Sequence, residues 1–187
     1  MSSLSALVMK GVTKHFGSVT ALEDISLDVA SGSIFAVVGP DGAGKSSLLR
    51  LMCGLLSPDS GEIVVLGRSA GRGKVSMRRR LGYMSQRFSL YGDLSIDENL
   101  AFSAEIYGMG DYRDRREDLL EMTGLTPFRN RLADRLSGGM RQKLALAGTL
   151  IHDPELILMD EPTNGVDPVS RREFWKLLGR LGENGIT

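Results

Sequence analysis

Gly39-Pro40-Asp41-Gly42-Ala43-Gly44-Lys45-Ser46 is the stretch that decides the fold. It fits G-x-x-x-x-G-K-[ST], a loop that cradles nucleotide phosphates. Just upstream, Ser33-Ile34-Phe35-Ala36-Val37-Val38 is a short apolar run rich in β-branched residues, which predicts a buried strand. Just downstream, Leu48, Leu49, Leu51, Met52 and Leu55 recur at helical spacing. The loop is therefore expected where a strand turns into a helix, the context this motif requires. Its bare backbone N–H groups and the helix N-terminus suit phosphate oxygens. Lys45 reaches the β- and γ-phosphates as a point charge, and Ser46 offers a hydroxyl to Mg²⁺.

A second cradle lies far along the chain. Leu136-Ser137-Gly138-Gly139-Met140-Arg141-Gln142 opens a helix with Ser-Gly-Gly, another place where unencumbered N–H groups can face an anion. Beyond it, Leu156-Ile157-Leu158-Met159 ends in Asp160-Glu161-Pro162. Such a run reads as a strand buried on both faces. Carboxylates at its C-terminal end sit at the sheet edge, where ligands bind in open α/β folds. Asp160 is placed to hold Mg²⁺, directly or through water. Strand alternation is expected to turn Glu161 away from Asp160, leaving it free to orient an attacking water.

The remaining elements follow from pattern. Ala6 to Val12 and Ile25 to Val29 are strand candidates around the turn Gly17-Ser18, an antiparallel hairpin. Glu62 to Leu66 is a further strand after Ser57-Pro58-Asp59-Ser60-Gly61. Ser95 and Glu98 make a capping box, after which Ile96, Leu100, Ala104 and Tyr107 share one face. A second helix is expected around Asp114 to Thr123. Asp167-Pro168 caps a last helix whose buried stripe is Phe174, Leu177, Leu178 and Leu181, with Trp175 off it. His152 reads as a polar or cationic cap at a helix end.

Composition narrows the function. The chain has 187 residues, is 42% hydrophobic and carries zero formal net charge, enough for one domain with a core and without a general affinity for nucleic acid or anionic membrane. Arg78-Arg79-Arg80, with Arg72 and Lys74, reads as a solvated helix before the strand Leu81 to Ser85. The single cysteine, Cys53, is a reduced core residue, and a disulfide framework is excluded. No apolar run approaches membrane-spanning length, and Met1-Ser2-Ser3-Leu4-Ser5 lacks the charged region of a signal peptide. A cytoplasmic location is expected.

With these segments in place, the chain resembles the ATP-binding subunit of ABC transporters along its whole length and in the family's order. Gly39 to Ser46, with Ser47, matches the Walker A loop, and Gln86 the Q-loop glutamine. Leu136 to Gln142 matches the signature motif, and Leu156 to Glu161 matches Walker B with its catalytic glutamate. Asn164-Gly165-Val166-Asp167 looks like the D-loop, and Phe16 like the aromatic that stacks on adenine. The run Met84 to Tyr91 looks most like ATPases of ABC-2-type exporters, including multidrug exporters. The resemblance implies an α/β P-loop NTPase with a RecA-like core, an N-terminal antiparallel β subdomain and a helical subdomain inserted at about 87–135. It implies ATP and Mg²⁺, with Ser46, Gln86 and Asp160 near the metal, and Lys45, Gln86 and Glu161 in catalysis. It also implies two domains packed head to tail, so that Ser137, Gly138 and Gly139 of one meet the γ-phosphate held by Lys45 of the other.

The membrane subunit of a transporter is expected to contact the segment Arg87 to Asp97, where Phe88, Leu90, Tyr91 and Leu94 either form that contact or pack inside the helical insert. A soluble ABC ATPase acting on ribosomes or nucleic acid, and a fragment that binds nucleotide without hydrolysing it, are the alternative readings. Two departures stand out. Asp41 occupies a position where many family members carry Asn. The family's switch histidine is not found downstream of the D-loop, since the only histidines are His15 and His152. A C-terminally incomplete domain is therefore expected, with a strand lacking between Phe35–Val38 and Leu156–Met159 and stability reduced accordingly.

Overall fold

Alternating apolar residues at the start of the chain build a hairpin. The computed structural model describes residues 5–70, 79–86 and 90–187. In it β1 (Ser5–Phe16) and β2 (Val19–Ala30) pair antiparallel around Gly17-Ser18. Ala6, Leu7, Met9 and Val12 are buried. Strand β3 (Ser60–Val65) lies on the other side of β1 and carries β4 (Arg68–Ser69), giving the order β2-β1-β3-β4. Gly61 is compulsory at that crossing: a Cβ there would lie 2.4 Å from the Gly11 carbonyl oxygen.

The second sheet is parallel and pairs β5 (Leu81–Met84) with β6 (Leu156–Met159). Arg80 forks onto the Glu155 carboxylate beside the start of the pair. Strand period decides what β6 does. Leu156 and Leu158 enter a core shared with the antiparallel sheet and helix α1 (Lys45–Met52). Ile157 enters a second core built by α2 (Ile96–Ile106), α3 (Arg113–Thr123), α4 (Gly138–Leu150) and α5 (Pro168–Glu183). The expectation of burial on both faces thus has a structural meaning: β6 is the wall between two cores.

The caps form as expected. The Glu98 N–H donates to Ser95 Oγ at 3.2 Å, and the Ser95 N–H donates to Glu98 Oε2 at 2.7 Å. Ile96, Leu100 and Ala104 are fully buried. Asp167 accepts from the N–H groups of Val169 and Ser170 at 3.0 and 2.9 Å, and Phe174, Leu177, Leu178 and Leu181 are buried while Trp175 is exposed. No helix among the described residues is long and apolar enough to cross a membrane.

Three expectations change. Ser33 to Val38 is not a strand: Ile34 is 64%, Phe35 53% and Val38 92% exposed. A strand needs a ladder partner, and among the described residues none pairs with this segment. A cavity of about 290 Å³ separates it from β6, lined by Phe35, Leu156, Leu158, Trp175 and Leu181 among others. At its mouth Thr187 bonds to β6 in the parallel manner, accepting from the Ile157 N–H at 2.8 Å and donating to the Glu155 carbonyl at 3.2 Å. Helix α1 ends before Leu55, which is exposed, and Cys53 closes it. Burial, with Asp160 adding to it, pushes the Cys53 thiol up to about 12, so it is unreactive. His152 lies beyond the end of α4 and is half-buried rather than a cationic cap. Of the expected arginine-rich helix, Arg72, Lys74 and Arg78 lie outside the described residues, as do residues 87–89 with Phe88, while Arg79 and Arg80 form a turn before β5 rather than a helix.

Candidate functional site

Gly44 sets the phosphate loop. It caps α1 in the left-handed region (φ 85°) and a Cβ there would lie 2.4 Å from the Ala21 carbonyl oxygen of β2. The loop is thereby pressed onto the antiparallel sheet, and the first N–H groups of α1, from Lys45, Ser46 and Ser47, have no intrahelical partner. Gly39, Pro40, Asp41, Gly42 and Ala43 form the exposed part of the loop, and Ala43 N–H donates to the Pro40 carbonyl at 3.3 Å. Lys45 folds back on its own loop. Its Nζ donates to the carbonyl oxygens of Gly39 and Pro40 at 2.9 and 2.8 Å. The same ammonium is 4.0 Å from Asp41 Oδ1 and 4.0 Å from Glu161 Oε1.

The C-terminal ends of β5 and β6 bring the acidic side of the site to this lysine. Asp160 is 4% exposed, and its N–H donates to the Met84 carbonyl at 2.9 Å. Strand alternation does not aim Glu161, because β6 ends at Met159. Glu161 instead turns in the left-handed region at φ 48°, a conformation that costs an ordinary residue on the order of 1–3 kcal/mol and collects at functional sites. Its Oε2 accepts from Gln86 Nε2 at 2.9 Å and from Asn164 Nδ2 at 3.2 Å. Gln86, expected beside a metal, is thus placed on Glu161 through its amide nitrogen. The Asn164 contact was not foreseen from the sequence; its only signal was its place in the D-loop-like run.

Phe16 ends β1 and is 46% exposed. Lys14 Nζ lies 5.7 Å from the ring centroid and is held by Asp59 at 2.8 Å. Hydrogen bonds from Lys14 and from the His15 N–H hold the Asp59 carboxyl below its usual range.

Ser137 caps α4, accepting from the Met140 N–H at 3.3 Å. Gly138 is more open: among the described residues outside its own helix, the nearest atom to a Cβ position is the Gly165 carbonyl oxygen at 3.9 Å. Gly139 is different: a Cβ there would lie 2.4 Å from Ser170 Oγ, so this glycine is needed for packing α4 on α5. Gly138, Arg141, Asn164 and Gly165 line one surface hollow, and no phosphate-loop residue lines it. The two cradles of one chain are therefore separate features, connected through the Asn164–Glu161 hydrogen bond.

The family described as ABC transporter matches residues 22–164. The chain belongs to the ABC transporter ATP-binding family. It is 42% identical to the probable multidrug ABC transporter ATP-binding protein YbhF of Escherichia coli K12, over 95% of this chain and 31% of that protein. It is 39% identical to the sulfate/thiosulfate import ATP-binding protein CysA of Synechocystis, over 94% of this chain and 50% of that protein. The ABC chain thus spans a third to a half of these relatives. Among solved structures, cbiO1 of Clostridium perfringens superposes with a TM-score of 0.89 at 27% identity, covering 98% of this chain and 76% of the other. A dimeric ATP-binding cassette bound to ADP and Pi superposes with a TM-score of 0.84 at 29% identity, covering 97% and 85%. The fold is that of an α/β P-loop NTPase with an antiparallel N-terminal sheet.

Proposed function

We propose that this chain is one ABC-type ATP-binding domain, with a helical insert near 87–135, that binds ATP with Mg²⁺ and hydrolyses it in a head-to-tail dimer. The observation that carries this reading is the convergence of Gln86, Glu161 and Lys45 at the ends of β5 and β6, with contacts of 2.9 and 4.0 Å centred on Glu161. Gly39 to Ser47 bind the phosphates, and Phe16 offers its exposed face to adenine. Lys45 exchanges its loop carbonyls and flanking carboxylates for phosphate oxygens. Glu161, held by Gln86 and Asn164, accepts a proton from the attacking water.

The metal fits the donor set. Ser46 hydroxyl, Asp160 carboxylate and Gln86 amide oxygen are hard oxygen donors of the kind Mg²⁺ takes. Among the described residues no cluster of three or more His, Cys, Asp or Glu side chains forms a closed metal cage. Bound there with nucleotide, the ion would neutralise charge on the phosphates.

Ser137, Gly138 and Gly139 of a second domain would complete the γ-phosphate site, a reading supported by the dimeric state named for the ADP- and Pi-bound neighbour. Leu90 and Tyr91 of the expected contact segment line a hollow together with Phe102 and Ile106. Tyr91 and Ile106 are exposed there, and the hollow suits an apolar segment of a membrane subunit. The domain would then sit peripherally on the cytoplasmic face of the membrane. Export is the direction this reading takes, supported by the likeness to the multidrug protein and to a Nod factor export ATP-binding protein, while import ATP-binding proteins match at similar identity.

A nucleotide titration tests the two cradles together. Lys45→Ala is expected to weaken ATP binding at least about tenfold, as loss of a charge-assisted contact of about 1.5–3 kcal/mol requires. Ser137→Arg is expected to leave monomer affinity within about twofold while abolishing turnover. Equal losses of monomer affinity would contradict the assignment.

A further inference from the structure

Asp41 is the one loop position whose side chain opposes the task of the loop. Its carboxylate is fully exposed, with Oδ1 4.0 Å from Lys45 Nζ, and it has no other partner among the described residues. Glu161 Oε1 stands at the same distance, 4.0 Å, from the same ammonium. Glu161 is occupied by Gln86 and Asn164, and its turn is fixed by the left-handed backbone at φ 48°. Asp160 lies beside it at the buried end of β6. The cation that must meet the phosphates therefore starts between two carboxylates, one anchored and one free.

We infer that Asp41 makes the loop discriminate by ligand charge, favouring the metal complex of a nucleoside triphosphate over the free nucleotide. This rests on the nucleotide-binding reading above. Repulsion from a fixed carboxylate scales with the charge of the ligand. Free ATP carries about four negative charges and its Mg²⁺ complex about two, so the free form is repelled about twice as strongly. Competition between Asp41 and phosphate for Lys45 also weakens binding, but it acts on both forms and cancels in their ratio. Water screens an exposed carboxylate, which limits the selectivity to a few-fold and makes it depend on salt. A carboxylate at this position thus costs affinity and returns selectivity.

The test measures the dissociation constant of a non-hydrolysable ATP analogue with saturating Mg²⁺ and with EDTA, and takes the ratio. Asp41→Asn is expected to lower the selectivity ratio about three- to fivefold at low ionic strength, with the difference shrinking toward unity at about 0.5 M salt. Asp41→Glu, which keeps the charge, is expected to keep the wild-type ratio. An unchanged ratio in Asp41→Asn overturns the inference, as does an equal drop in Asp41→Glu. If the unsubstituted chain binds neither form, the nucleotide-binding reading itself falls, a result distinct from binding without selectivity.

Discussion

His152 shows burial overriding the role that position suggests. Its ring stacks on Tyr107 with centroids 3.6 Å apart and planes 11° from parallel. Since the Leu81 carbonyl can only accept, His152 Nε2 donates to it, at 3.2 Å, and Nδ1 has no partner among the described residues. Burial holds the imidazole below its ordinary value of 6.5; Arg115 acts in the same direction, and the Leu81 hydrogen bond and Asp153 act against it. The unfolded chain therefore takes up a proton at a pH where the folded chain still refuses it. The contribution is present above pH 6.5 and is lost as pH falls through the lower folded value. Thermal unfolding midpoints are expected to drop as pH falls from about 7 through 6.5 and below, and to drop less in His152→Phe, which keeps the stack. Parallel pH profiles for the two proteins would contradict this account. Residue chemistry of this kind is not visible in a string of letters: the motif names Lys45, Gln86 and Glu161, but not that Lys45 lies on the carbonyls of Gly39 and Pro40 or that Glu161 turns at positive φ.

Elements were more legible, because their causes are local. The capping box at Ser95, the cap at Asp167 and the stripe of α5 are written in residue types at fixed spacing, and they form where that spacing places them. The segment 33–38 had the composition of a strand, yet strand formation depends on a neighbour's backbone, which composition does not reveal. Gly139 is a further case. Its place in Ser-Gly-Gly pointed to an anion contact and gave no sign of a packing role as well: the space beside its Cα is taken by Ser170, whose Oγ and Cβ lie 2.4 and 2.6 Å from where a methyl group would sit. Gly139→Ala is expected to destabilise the fold by about 1–3 kcal/mol in urea unfolding, the usual cost of overpacking. Ser170→Gly should recover part of that loss, since the two sites are in contact. Additive effects of the two substitutions would show that α4 and α5 are not pressed together at this point.

At the scale of the whole molecule, two cores meet on β6 while one apolar segment remains outside both. Ile34, Phe35, Val37 and Val38 are exposed beside the cavity that faces β6. Contiguous exposed apolar surface marks a contact site or an aggregation liability. The chain is therefore expected to enhance the fluorescence of ANS under native conditions, and Phe35→Ser with Val38→Ser to reduce that enhancement. A protein that leaves the dye dark would contradict the exposure of this segment.

The central claim is that Glu161 acts on water while the loop holds nucleotide, with a second domain closing the site. Sedimentation velocity of Glu161→Gln with ATP and Mg²⁺ tests it most directly. The substitution leaves Lys45 and the loop amides in place, so nucleotide binds, and it removes the carboxylate that accepts the proton, so the γ-phosphate persists. The account predicts a stable nucleotide-bound dimer that is absent without ATP. A variant that stays monomeric with ATP, or that hydrolyses it at the unsubstituted rate, would contradict it.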